Sequence, residues 1–584
     1  MKTKQWKKLG AIVLSVLIFI QSVDWSGVFH LASVYGAEPA SEQGEFTDDR
    51  NAGEQGAEEL REEQERDAEE VEETSATGEG IIPEGEGLVY QDGIYKGTLN
   101  LTQPSYLEED LIIEGDLILN RRLQLNQHTL IVKGTVRVYT GELIVDGTME
   151  AEEFFCSSGN ITFAKGTLIS AGSLYLDYCN TVIEMTNDED LFQIQGNLYI
   201  DNDFCGVLNF MKGTLELAGD YLELPDSNDT FQKTGIAAGE EFRLLLSGSD
   251  SQMLDIQSEG TSILNVEMVG EEVRRLYLPK RNTIQNYNSD ACEIYEGVYR
   301  LTQEVYDFEY KQYTRNGNYY YDMVYLEAGE FCNDKNNISI FGDFYQNGNL
   351  KLKNGMTVKG NYGVQSLIKQ EAQIETAPSE GILDMRESSY KSITVYGDFV
   401  MNSLKDHTGF LTTGSLILYG SLYQYGIGVS NFVPEGSFYL DFRGYEDGRS
   451  SQISFEDTEQ NWLPQMYANA AAVELLNEFP IKNAFYGTYK GTVLVTNETL
   501  SNLQYCTVQA RLIEDIVLEN NLPLPNVSFV AEEGLDINGY SLVCKDLIFP
   551  DNSNGHLVME QESGVVQVAN DFYTGSLYPC DGMN

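Results

Sequence analysis

An all-β chain wound as an elongated parallel β-solenoid (β-helix) is the fold this sequence predicts, and three observations predict it. Short phrases that open on Gly and run into alternating apolar positions recur, among them GDLILN at Gly115, GELIVD at Gly141, GSLYLD at Gly172, GNLYID at Gly196, GDFYQN at Gly342, GDFVMN at Gly397 and GSLYQY at Gly420. Several consecutive starts lie 18 to 24 residues apart, as for Gly342 to Gly360 and Gly397 to Gly420, which is the length of one coil. A longer period of roughly 200 residues overlies this one. YKGTLNLTQ from Tyr95 returns as GVYRLTQ around Tyr299 and as YKGTVLVTN from Tyr489, and GTLELAGDYLEL from Gly213 returns as GSLILYGSLYQY from Gly414. A strand of period two buries one face, Gly supplies turn conformations that other residues resist, and stacked coils pair each strand with the ones above and below. A β-sandwich array also has short strands and close turns. It is disfavoured by the mutual likeness of the strand phrases and by the lack of a Cys, Trp, Cys framework.

The elements follow in chain order. Lys2, Lys4, Lys7 and Lys8 precede an apolar run from Leu9 to Ile20, and small residues follow at Val34, Gly36 and Ala37. That pattern predicts a secretory signal peptide over 1–36. The run is shorter than the ~20 residues a membrane span needs, so the mature chain is expected outside the cell. Residues 37–86 are expected to be a disordered acidic linker, since Glu38 to Glu86 hold 19 Asp or Glu against 3 Arg and almost no aromatic or β-branched side chains. Three solenoid modules are expected next, over 87–291, 292–484 and, incomplete, 485–584. LPQMYANAAAVELLNEFP, from Leu463 to Pro480, predicts a helix that ends the second module and stops at Pro. The third copy covers about half a module and finishes without a capping pattern, so the natural chain is expected to continue beyond Asn584, or to be truncated there, with a last coil near Val565 to Tyr578 that exposes its strand edges.

The chemistry-bearing residues are sparse. His128, His407 and His556 follow the signal and lie in different modules, no two at metal-ligand spacing, so neither a catalytic triad nor a zinc site is expected. G-x-S-x-G, P-loop and H-E-x-x-H patterns are missing, and no catalytic or metal-binding residue is assigned. Acidic loops at TNDED from Thr186, DND from Asp201, PDSND from Pro225 and RGYEDG from Arg443 have the oxygen donors for calcium, although solvated turns explain them more simply. NYYYDMVY from Asn318 concentrates tyrosine. On a strand, Tyr319, Tyr321 and Met323 would share one face while Tyr320, Asp322 and Val324 share the other, one facing the core and the other offering a platform to sugar rings or a protein. Gln252 and Gln452 occupy equivalent places in GSDSQMLDI and GRSSQISFE and are expected to hydrogen-bond at equivalent coil turns. The eight Cys do not recur between modules and read as small core residues, with a bridge between Cys179 and Cys205 the remaining option. A formal charge of -54 excludes nucleic acid as a partner, because binding phosphates needs Lys and Arg.

GDYLEL at Gly219, followed some thirty residues later by SGSDSQ and an alternating strand, resembles the repeats of large secreted β-helical surface proteins of clostridia and related Gram-positive bacteria. The resemblance implies a secreted, surface-associated structural or adhesive display protein without catalysis. Its partners would be host or cell-wall glycans or surface proteins. The alternative is a carbohydrate-active β-helix enzyme of polysaccharide lyase or hydrolase type, or an array of carbohydrate-binding modules. An enzyme should show, on one module, a carboxylate cluster joined by Arg or Lys in a groove.

Overall fold

The computed structural model describes residues 87–88 and 94–574, apart from short stretches at 178–180, 202–205, 224–235, 249–250, 259–262, 270–273, 281–283, 288–291, 313–316, 372, 388–389, 470–471, 552 and 562. The segments expected to form a signal peptide and an acidic linker lie outside the described residues. From Gly87 onward the chain is a parallel β-solenoid of about 20 turns. Its strands pair in register with the coils before and after, as when Phe155 lies beside Arg137 on one side and Tyr175 on the other. Inward residues alternate with outward ones, so Leu117 and Leu119 are fully buried while Ile118 between them is only half-buried. The sole antiparallel pairing among the described strands is a hairpin, Tyr362–Gln370 with Gln373–Pro378, that leaves the coil path and returns.

The phrases that opened each coil have a steric and a polar cause. Consecutive coils bring their glycines into one column, where a Cβ on Gly196 would meet the carbonyl carbon of Gly172 at 2.7 Å and one on Gly397 would meet the Gly360 oxygen at 2.7 Å. The residue after each Gly then holds the next coil. Asp343 Oδ1 accepts from the Asn361 amide, Asn361 Oδ1 from the Asp398 amide at 2.9 Å, and Asp398 Oδ1 from the Ser421 amide at 2.8 Å. The first half repeats this, from Ser173 to Asn197, Asn197 to Asp220 and Asp220 to Met253. Each such bond satisfies a backbone donor that the tight turn would otherwise leave unpaired.

The long hydrogen-bonded stack is divided, among the described strands, at Gly297, which lies at φ 78° between Cys292–Glu296 and Val298–Arg300. A stack of 24 strands ends there and a stack of 23 begins. The second stack packs against the outer face of the last coils of the first. In the strand Leu198–Ile200, Leu198 and Ile200 join the first core while Tyr199 joins the second core, together with Met253, Tyr277, Tyr295 and Tyr299. These strands are therefore buried on both faces. No comparable interruption occurs at residue 485, where Met466 of one coil pairs with Phe485 of the next.

The helix expected over 463–480 is not formed. That stretch contains the strands Gln465–Ala468, Val473–Leu475 and Phe479–Pro480, with Met466, Val473, Leu475 and Phe479 buried. Val473 and Leu475 fall on one face only at period two, and coil packing overrides the helical preference of the stretch. A helix forms instead over Gln303–Gln312, just after the interruption. Thr302 Oγ1 accepts from the Val305 amide at its start. Val305 and Tyr306 are buried, and Phe308 stacks on Tyr199 at 3.8 Å. No described helix is long and apolar enough to cross a membrane.

Candidate functional site

Gln252 is buried and bridges a turn: its Nε2 donates to the carbonyls of Leu217 at 2.9 Å and Gly219 at 2.7 Å, and its Oε1 accepts from the Gly248 amide. Gln452 makes a different contact. Its side chain is half-buried on the outer face and donates to Glu474 Oε2 of the next strand at 3.0 Å. The two glutamines match in sequence but not in orientation, because Gln252 lies in Ser251–Asp255, buried on both faces, and Gln452 opens Gln452–Phe455, buried on a single face.

The tyrosine triplet divides as expected for three residues and then departs. Tyr319 and Tyr321 are buried, with Tyr321 stacked on Tyr299 at 4.2 Å and donating to Asp255 Oδ2 at 2.6 Å. Tyr320 is exposed. Val324, expected beside Tyr320, is buried, while Met323 is half-buried. The alternation is lost because the strand Asn318–Tyr319 ends before a turn and Met323–Leu326 is a separate strand.

In two of the acidic loops, described carboxylates are committed to the protein itself. Asp190 of TNDED accepts from the amides of Lys165, Thr186 and Asn187. Asp447 of RGYEDG accepts from Arg449 Nε at 2.6 Å, and the same loop's Arg443 donates to Asp441. Residues 225–230, Cys179 and Cys205 lie outside the described residues. Cys156, Cys506 and Cys544 are buried core side chains, and burial holds the Cys156 and Cys506 thiols up at about 12. Among the three histidines, His407 is fully buried and serves the backbone, its Nε2 facing the Leu383 amide at 3.1 Å.

Two constellations stand out on the outer surface of the second stack. The first is ionic. Glu330–Cys332, Asn349–Lys351 and Leu383–Asp384 form a short ladder that places Cys332, Lys351 and Asp384 in one row. Lys351 Nζ lies 2.7 Å from Glu387 Oε1, Lys353 Nζ lies 3.8 Å from Glu387 Oε2, and Arg386 grips Asp384 through Nε at 3.0 Å and Nη2 at 2.7 Å. Among the four ionic groups with a resolved shift, every one favours the charged form, whereas burial raises the Cys332 thiol and keeps it neutral. The hydrogen bond to Glu387 raises Lys351, and the one to Asp384 raises Arg386. Lys351 lowers Glu387, and for Asp384 burial pushes upward but is outweighed by Arg386, leaving it lowered. A general acid or base works best with a pKa near the working pH, and these directions move the cations and the carboxylates away from it. The cluster was not visible in the sequence because Lys351 and Glu387 are brought together across the intervening hairpin.

The second constellation is aromatic. Tyr467, Tyr486 and Tyr505 are direct neighbours on three successive coils, with ring centroids 4.8 Å and 5.4 Å apart and planes inclined at 12° and 7°. Tyr439 meets Tyr467 edge-on at 5.7 Å. On a neighbouring row Tyr320 stacks on Phe341, and Tyr396 on Tyr419 at 4.5 Å, with Lys359 Nζ 3.7 Å from the Tyr396 ring. Rings stacked this closely cover one another's faces and present edges and hydroxyls to solvent. The signal for the main row was present in the sequence: Tyr467, Tyr486 and Tyr505 recur at an interval of 19. With this geometry in hand, comparison with known proteins adds nothing. No family model, curated protein or solved structure matches the chain.

Proposed function

We propose that this chain is a secreted, cell-surface-associated structural or adhesive display protein that performs no catalysis. The observation that carries the reading is the turn column, in which Asp, Asn and Ser side chains are spent on the backbone amides of the next coil and not on a site. Repetition of one contact along both stacks suits a spacer whose task is rigidity. The likeness of its repeats to those of secreted β-helical surface proteins points the same way, and the tyrosine edges on the second stack offer contact to glycan hydroxyls or a protein partner. Applied to a glycan array and a panel of polysaccharides, the mature chain should be retained on one glycan class and release no product. Release of oligosaccharides, abolished by Lys351→Ala or Glu387→Ala, would instead establish the carbohydrate-active enzyme reading. That second reading expects carboxylates joined by Lys and Arg, which the ionic cluster supplies, although its shifts hold those groups charged.

A further inference from the structure

We propose that Tyr467, Tyr486 and Tyr505 form a site of oxidative tyrosine coupling, where a one-electron oxidant joins the phenols of neighbouring coils and staples the second stack covalently. The parallel register is what makes the site. Tyr467 is paired with Tyr486 and Tyr486 with Tyr505, so the three rings leave the same outer face in the same direction and stack nearly parallel, at 4.8 Å and 5.4 Å. Tyr505 is 60% exposed and admits the oxidant, while the inner two are half-buried and reached through the stack. Coupling between fixed neighbours proceeds at the high effective concentration of an intramolecular reaction.

The step balances as follows. Each of two phenols loses one electron and its hydroxyl proton. The phenoxyl radicals combine through a bond between ring carbons ortho to oxygen, and the two ortho protons move to the oxygens, restoring both rings. The two electrons and two protons reduce one hydrogen peroxide to two waters, or one persulfate to two hydrogensulfates. Tyr396 and Tyr419 are stacked as closely, but the Lys359 ammonium over the Tyr396 ring disfavours loss of an electron there. The structure thus contains its own comparison pair.

The full chain, dilute and folded, is treated with a photolysed ruthenium tris-bipyridine complex and persulfate, then digested and analysed by mass spectrometry. Linked peptides joining Tyr467 to Tyr486 or Tyr486 to Tyr505, two hydrogen atoms lighter than their sum, should form in a yield independent of protein concentration. Tyr486→Phe keeps the stack and should abolish both links. Tyr505→Phe should abolish only the second, and Lys359→Ala should raise linkage of Tyr396 to Tyr419. The proposal is overturned if the linked peptides are absent, if their yield is unchanged in Tyr486→Phe, or if the only products are intermolecular dimers through the fully exposed Tyr390.

Discussion

A buried histidine that accepts a backbone hydrogen bond has one protonation state compatible with its surroundings. His407 Nδ1 faces the Lys405 carbonyl at 3.0 Å and Nε2 faces the Leu383 amide at 3.1 Å, so the proton belongs on Nδ1 and the ring is neutral. Burial lowers its pKa below the ordinary 6.5, against smaller upward pulls from the Lys405 carbonyl and the Asp406 charge. The unfolded ring therefore binds a proton at a pH where the folded ring does not. Its stabilising contribution is complete above the unfolded value and is lost as pH falls through the window below it. Replacement by Gln, which keeps a donor and an acceptor, should flatten this acid loss, and breaking the Leu383 bond should cost about 1–3 kcal/mol. Chemical denaturation of both proteins across that window checks the expectation, and parallel pH profiles would refute it.

At the scale of the element, the glycine column decides which sequences can wind. Gly397→Ala places a methyl against the Gly360 carbonyl, and backbone cannot move aside as a side-chain tip can. A loss of roughly 1–3 kcal/mol is expected, with proteolysis appearing first near Gly360 and Gly397. Ala at Gly329, where nothing lies within 4 Å but φ is 77°, isolates the conformational part of the cost. A smaller loss at Gly397 than at Gly329 would contradict the steric account. This column is also why the fold was legible. A contact demanded once per coil imprints a residue type once per coil, and the strand alternation imprints the rest. What stayed hidden has equally physical causes: the Ala run at 470–472 reads as helix in isolation but is flanked by the strands Gln465–Ala468 and Val473–Leu475, the helix at 303–312 depends on the aromatic surface of the first stack, and the ionic cluster joins residues 36 positions apart. The tyrosine row was within reach of a search at fixed interval, whereas the unequal fates of Gln252 and Gln452 depend on which strands the second stack covers.

At the scale of the molecule, the join between the two long stacks replaces coil pairing with side-chain contacts. Arg300 Nη2 lies 2.7 Å and 2.6 Å from the two oxygens of Asp220, Arg275 lies 2.7 Å from Glu327, and Lys369 donates to the Ile294 carbonyl. Arg300→Ala strands the buried Asp220 carboxylate and should cost about 3–5 kcal/mol. Calorimetry should then resolve two transitions, one per stack. A single transition, shifted as a whole, would mean that the apolar part of the join suffices to couple them. The turn column has a further consequence of another kind. The same side-chain-to-amide contact closes over 18 residues between Asp343 and Asn361, 37 between Asn361 and Asp398, and 23 between Asp398 and Ser421. The spatial ruler is constant while the length of text between its marks is free, so heredity can insert, delete and rewrite on the outside of a coil without disturbing its place in the stack. Such a lineage is expected to drift faster in its letters than in its shape.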